Sequence, residues 1–149
     1  MRIWLLLLSL VVWTAAAAAG VVVKGEECGE GGEILTYVKR GLTPAPEGAL
    51  RPSKGDRVTV HCTGYGKNGN LGEKFWSTRD PDQAPFTFQI GMKRVIRCWD
   101  EGVMDMGVGE VAEITAHPSY AYGAGGFPHW GILPNSTLRF EIEVLSIQK

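Results

Sequence analysis

The sequence has no surplus of charge in either sense: 15 Lys+Arg stand against 16 Asp+Glu, a net −1 over 149 residues. A non-specific nucleic-acid binder needs a basic surface that displaces counterions, so that class is excluded. Cysteine is scarce, three residues with none in C-x-x-C spacing. Neither a disulfide framework nor a zinc ribbon can be built from them. Histidine is equally scarce. His61, His117 and His129 form no i, i+4 pair and no Cys/His spacing, so no metal or other cofactor is expected. What is plentiful is glycine, 20 residues beside eight prolines and without a period. That composition predicts tight turns in a β-rich domain and excludes collagen. The length allows one domain, or one domain with an appendage.

The appendage is at the start. Arg2 precedes an apolar run from Ile3 to Trp13, broken only by Ser9, and Ala15 to Ala19 follow. A basic start, an apolar stretch and a small-residue exit describe a secretory signal peptide over residues 1–19. Val21, Val22 and Val23 lengthen the apolar stretch toward the ~20 residues that span a bilayer, so membrane attachment is expected only if the leader stays uncleaved. The alanine run favours cleavage, and no basic cluster follows Val23. Residues 20–32 read as a flexible, acidic, glycine-rich linker that contains Cys28, expected to be the most reactive thiol. The leader places the remainder in the secretory pathway, in the lumen of the endoplasmic reticulum or secreted. Ser146-Ile147-Gln148-Lys149 is not a retention signal. In that setting Asn135-Ser136-Thr137, just after Pro134, is a candidate glycosylation site.

The remaining residues, 33–149, read as one domain. Val58, Val60 and Cys62 alternate with Thr59, His61 and Thr63; Leu138, Phe140, Ile142 and Val144 alternate with Arg139, Glu141, Glu143 and Leu145. Both segments predict half-buried antiparallel strands. Phe86–Ile90 and Val111–Ala116 predict two more, and Ile34–Val38 a further one. Turn residues separate them at Lys54-Gly55-Asp56, Lys67-Asn68-Gly69-Asn70 and Gly107-Val108-Gly109. Val95–Val103 is the single helical candidate, too short to stand alone. The class is α+β: an antiparallel sheet of five or six strands curled around one short helix.

Gly64-Tyr65-Gly66-Lys67-Asn68-Gly69 matches the dinucleotide-binding fingerprint letter for letter, but a turn follows it where a helix N-terminus should receive the pyrophosphate. It is a glycine-rich hairpin loop. Cys98 follows Arg97, yet its helical, apolar context reads as packing, not as a nucleophile. The informative signal is aromatic. Phe75, Trp76, Phe86, Phe88, Trp99, Tyr120, Tyr122, Phe127, Trp130 and Phe140 crowd strand ends and loops, which favours a concave apolar pocket over a plain core.

Four stretches carry a resemblance: Val60-His61-Cys62-Thr63-Gly64, Phe86-Thr87-Phe88-Gln89-Ile90-Gly91, Val95-Ile96-Arg97-Cys98-Trp99-Asp100-Glu101-Gly102-Val103 and Tyr120-Ala121-Tyr122-Gly123-Ala124. Together they resemble the FKBP family, the macrolide-binding immunophilins that are peptidyl-prolyl cis-trans isomerases. The resemblance covers roughly residues 33–147. Lys74-Phe75-Trp76-Ser77-Thr78 and Gly126-Phe127-Pro128-His129-Trp130-Gly131-Ile132 are similar to small single-domain members found in plants. By resemblance, Trp99 is the floor of a proline pocket with Phe75, Phe86, Val95, Ile96, Tyr122 and Phe140 as walls. Phe127, Ile132 and Leu133 line an overhanging loop. The Ile96 backbone N–H and the Tyr122 hydroxyl would bond substrate or macrolide carbonyls. Cys62 and Trp76, also assigned to the pocket, stand where many members have a touching tyrosine and aspartate. Leu42–Ser53 is a proline-rich insertion between the first two strands.

The resemblance implies a monomeric isomerase that accelerates folding of Xaa-Pro-containing clients, acts as a chaperone in that sense, and binds macrolides such as rapamycin or tacrolimus. The alternative is a proline-pocket module that docks a partner protein with incidental turnover.

Overall fold

The computed structural model describes residues 21–24, as backbone, and 36–149. The leader, Cys28 and Ile34 lie outside the described residues. Seven strands and one α-helix are present among them: β1 (Val21–Lys24), β2 (Tyr37–Thr43), β3 (Arg57–Tyr65), β4 (Lys74–Ser77), β5 (Phe86–Gln89), α1 (Arg97–Gly102), β6 (Val111–Ala116) and β7 (Leu138–Gln148). All pairings are antiparallel. The order is β1-β2-β6-β7-β3-β4, with β5 also on β3. β4 pairs with the Thr63–Tyr65 end of β3 and β5 with its Arg57–Val60 end, so two short strands share one edge of a long one.

The alternation read from sequence is the burial pattern observed. Val58, Val60, Ile142 and Val144 are wholly buried, as are Ala112, Ile114 and Ala116 of β6. The α+β architecture, a curled antiparallel sheet over one short helix, is the one expected.

Three differences have local causes. The strand expected over Ile34–Val38 is, among the described residues, β2 at Tyr37–Thr43, which continues past Val38 because it pairs with β6, with Tyr37 opposite Ala116 and Arg40 opposite Glu113. β4 has no counterpart among the strands that the sequence predicts: Lys74–Ser77 is too short to show a period, and pairing with β3 is what extends it. Val21–Lys24, read as linker, pairs with Tyr37–Arg40 as an outer strand.

The helix is shorter than Val95–Val103. Ile96 is extended (φ −58°, ψ 151°) and caps α1, its carbonyl accepting from Trp99 N and Asp100 N at 3.0 and 3.2 Å. Gly102 lets the helix settle on the sheet, since a Cβ there would lie 2.7 Å from Ile114 Cδ1. The proline-rich insertion folds back over the Gly107–Gly109 turn: Val108 N donates to Leu50 O at 2.9 Å, and Ala45 and Ala49 close on Gly107. Lys149 at the C-terminus bonds Arg51 O and Asp56 Oδ2 at 3.2 and 2.9 Å, tying the insertion to the end of β7.

Candidate functional site

The concave face of the sheet and α1 enclose a cavity of about 530 Å³, lined by Phe75, Trp76, Phe86, Lys93, Arg94, Val95, Ile96, Trp99, Tyr122, Trp130 and Phe140. Each wall has a local origin. β7 alternation turns Phe140 inward, 2% exposed, where it meets Trp99 and Phe75 edge-on at 5.6 and 6.0 Å between centroids. α1 places Trp99, 5% exposed, at the floor, where Phe86 and Phe88 lean on it at 5.9 and 5.7 Å. Edge-to-face contacts of this kind suit the quadrupoles of the rings. Gly64 of β3 makes room for Phe75, because a Cβ there would lie 2.7 Å from the Phe75 Cε2 atom.

The β5–α1 loop delivers Lys93 to Ile96 to the cavity. Asp100, 9% exposed, holds that loop from the first turn of α1 by accepting from Gly91 N and Lys93 N at 2.8 and 3.0 Å. Lys93 takes a left-handed conformation, φ +56°. Two donors on residues that line the cavity then have no partner among the described residues. One is the Ile96 N–H, left free because Ile96 is extended and lies outside the helix. The other is the Tyr122 hydroxyl, whose burial pushes its pKa up to about 12. It is therefore a neutral donor at any physiological pH. Trp99 Nε1 is also unpartnered among the described residues, but it is itself buried.

Of the residues assigned from sequence, Phe75, Trp76, Phe86, Val95, Ile96, Trp99, Tyr122 and Phe140 are brought together. Four are not at the cavity surface. Cys62 is 2% exposed in the core opposite Ile142, because β3 alternation sends it inward with Val58 and Val60. Burial raises its thiol pKa well above the ordinary value, as it does for Cys98. Phe127 packs against Tyr122 and Trp130, at 5.4 and 4.9 Å, and does not line the cavity. Ile132 is 2% exposed beneath the loop, its N–H and carbonyl both bonded to Phe127, whereas Leu133 is 48% exposed. Gly126 is required here: φ is +61°, and a Cβ would lie 2.5 Å from Ile132 O.

Three lining residues were not assigned from sequence: Lys93, Arg94 and Trp130. Trp130 stacks on Trp76 at 5.6 Å and 6°, and on Phe75 at 5.9 Å and 20°. Its signal was its place in the aromatic segment Phe127-Pro128-His129-Trp130; nothing in that segment says which ring turns inward. The histidines stand elsewhere. His61 Nδ1 pairs with Thr78 Oγ1 at 2.9 Å, His117 Nδ1 with Ser119 Oγ at 2.8 Å, and His129 is exposed beside Phe127. Asn135 is exposed in a left-handed turn, φ +54°.

A family model described as FKBP-type peptidyl-prolyl cis-trans isomerase matches residues 48–145. The chain is 68% identical over 97 residues to peptidyl-prolyl cis-trans isomerase FKBP12 of Vicia faba, an alignment covering 65% of this chain and 87% of that protein. It is 61% identical over 103 residues to peptidyl-prolyl cis-trans isomerase FKBP12 of Arabidopsis thaliana, covering 69% and 92%. Identity to peptidyl-prolyl cis-trans isomerase Fkbp12 of Drosophila melanogaster is 46% over 103 residues, covering 68% and 90%.

Proposed function

The chain belongs to the FKBP-type peptidyl-prolyl cis-trans isomerase family, and on that premise we propose that it isomerises Xaa-Pro bonds of proteins folding in the secretory pathway. The observation that carries the chemistry is an aromatic cavity with two unpartnered donors, Ile96 N–H and Tyr122 hydroxyl. An Xaa-Pro bond isomerises slowly because rotation breaks amide resonance, against ~18–20 kcal/mol. No nucleophile is needed. The twisted amide loses its dipolar resonance form, so a dry aromatic box favours it over the planar one. The two donors hold flanking carbonyls while the bond turns. Each ~1.4 kcal/mol of differential binding is worth tenfold in rate. The same donors and rings suit a macrolide such as rapamycin or tacrolimus, and macrolide binding is part of the proposal.

The secretory assignment is supported by Arg2, the apolar run and Ala15–Ala19, which precede the matched residues. Two experiments test the reading. A protease-coupled assay on a short Xaa-Pro peptide, with the chain starting at Val21, should show turnover that rapamycin inhibits. A chain that binds the peptide without turnover would be a docking module. Mass spectrometry of protein expressed from the full sequence should find an N-terminus between about Ala18 and Val21. An intact Met1 on cytosolic protein would overturn the secretory part alone, and an intact Met1 on membrane protein would show a signal anchor.

A further inference from the structure

We propose that Asn135 is an N-glycosylation site, built on the turn into β7 and accepting one oligosaccharide from a lipid-linked pyrophosphate donor; the proposal rests on the secretory reading of the leader. Of Asn68, Asn70 and Asn135, only Asn135 opens an Asn-x-Ser/Thr triplet, with Ser136 in the middle and Thr137 third.

The turn separates the groups that hold it from the groups left over. Asn135 N donates to Gly123 O at 2.9 Å, and Ser136 Oγ donates to Leu133 O at 2.7 Å. The backbone of Asn135 and the hydroxyl of Ser136 are thus committed to the fold. Asn135 and Thr137 are both exposed, and neither side chain has a hydrogen bond among the described residues.

The left-handed backbone, φ +54°, by itself accounts for an asparagine at 135, since Asn tolerates that region. It does not account for Thr137. That hydroxyl bonds nothing in the fold, yet it stands where the acceptor triplet needs one. A sugar on the Asn135 amide breaks no hydrogen bond and displaces no core group. It would stand beside Leu133, which is 48% exposed, and outside the cavity, whose lining includes neither residue. The transfer balances without an oxidant. Asn135 Nδ2 forms a bond to the anomeric carbon and loses one proton, while the bond from that carbon to the pyrophosphate oxygen breaks and the lipid pyrophosphate leaves with the electron pair.

The test translates the full chain in the presence of microsomal membranes. Protection from added protease reports entry into the lumen, and a mobility shift on treatment with peptide-N-glycosidase reports the glycan. The protected chain should shift by one glycan, and mass spectrometry of the released product should find Asp at position 135. Asn135→Gly, which keeps the left-handed turn, should abolish the shift. Thr137→Ala, which keeps the asparagine, should abolish it too, and Thr137→Ser should retain it. Neither readout depends on whether a variant folds. A protected chain with no shift overturns the proposal and leaves the secretory reading standing. An unprotected chain overturns both, because the donor is met only in the lumen. A shift that survives Asn135→Gly also overturns the proposal, since the sugar would then be elsewhere.

Discussion

Phe140 touches both the floor and one wall of the cavity, so its truncation mixes folding with function. Alanine would leave a void costing ~3–5 kcal/mol. Phe140→Leu keeps most of the volume and should cost only about 1 kcal/mol. It should still lower kcat/KM about tenfold, because an aromatic surface against the twisted amide is lost. Urea unfolding and the isomerisation assay on one preparation check both figures. Trp99→Leu, which keeps an apolar floor, should reduce turnover less and weaken rapamycin binding in parallel. Tyr122→Phe separates the two effects more cleanly. Its hydroxyl has no partner among the described residues, so stability should change by under about 0.5 kcal/mol. Loss of one hydrogen bond to substrate, about 0.5–1.5 kcal/mol, predicts a two- to tenfold fall in kcat/KM. With the Tyr122 pKa raised to about 12 by burial and the histidines outside the cavity, the rate should be flat from pH 6 to 9. A bell-shaped profile, or a folded but inactive His61→Gln, would indicate proton transfer and defeat this mechanism.

Between elements, the clamp from α1 to the β5–α1 loop matters most. Asp100→Ala strands the Gly91 and Lys93 amides and should cost about 1–3 kcal/mol. Val95 and Ile96 would then lose their fixed position, so KM should rise more than kcat falls. Amide hydrogen exchange at Gly91 and Lys93 should accelerate in the same variant, which a purely global loss of stability would not confine to those two sites. The contact between β3 and the Phe75 ring is the second lever. Gly64→Ala drives a methyl into that ring. Turnover should fall about tenfold or more, with a shift in the near-ultraviolet signal of the Phe75–Trp130–Trp76 stack. Gly64→Ala with unchanged activity would mean that Phe75 is not held where the structure has it.

For the molecule as a whole, three weak acids of raised pKa, Tyr37, Cys62 and Cys98, are buried in one core, and a fourth, Tyr122, packs half-buried against it. Burial raises Tyr37 and Tyr122 to about 12, and raises the Cys62 and Cys98 thiols above their ordinary range. A group whose folded pKa is raised contributes its full share of stability below its unfolded pKa, and that share is lost as pH rises toward the folded value. Stability should therefore hold from pH 7 to about 8.5 and decline above pH 9, where unfolded thiols ionise first and tyrosines next. Each buried thiol should account for roughly 2–3 kcal/mol of the loss by pH 10.5. Urea midpoints at pH 8 and 10.5 measure it. Native protein should accordingly leave Cys62 and Cys98 unalkylated until it unfolds, and fast native labelling of either would contradict the closed core.

Period-2 alternation in β3 and β7 was legible in the sequence because each residue's face depends only on its neighbours, and the order of motifs was enough to name the family. Eight cavity residues could be carried over on those motifs. The edges of the pocket were another matter. Nothing local to Trp130 says that it will stack on Trp76. Nothing in Lys93-Arg94 says that Asp100 will grip the backbone so that two cations face the cavity. Cys62 was placed in the pocket by its motif and sits in the core by its strand. The sequence by itself determined the inward faces, the aromatic content of the site and the family. The tertiary structure decided which rings meet and what charge the rim carries, because both depend on loops whose positions are set by contacts between segments far apart in the chain.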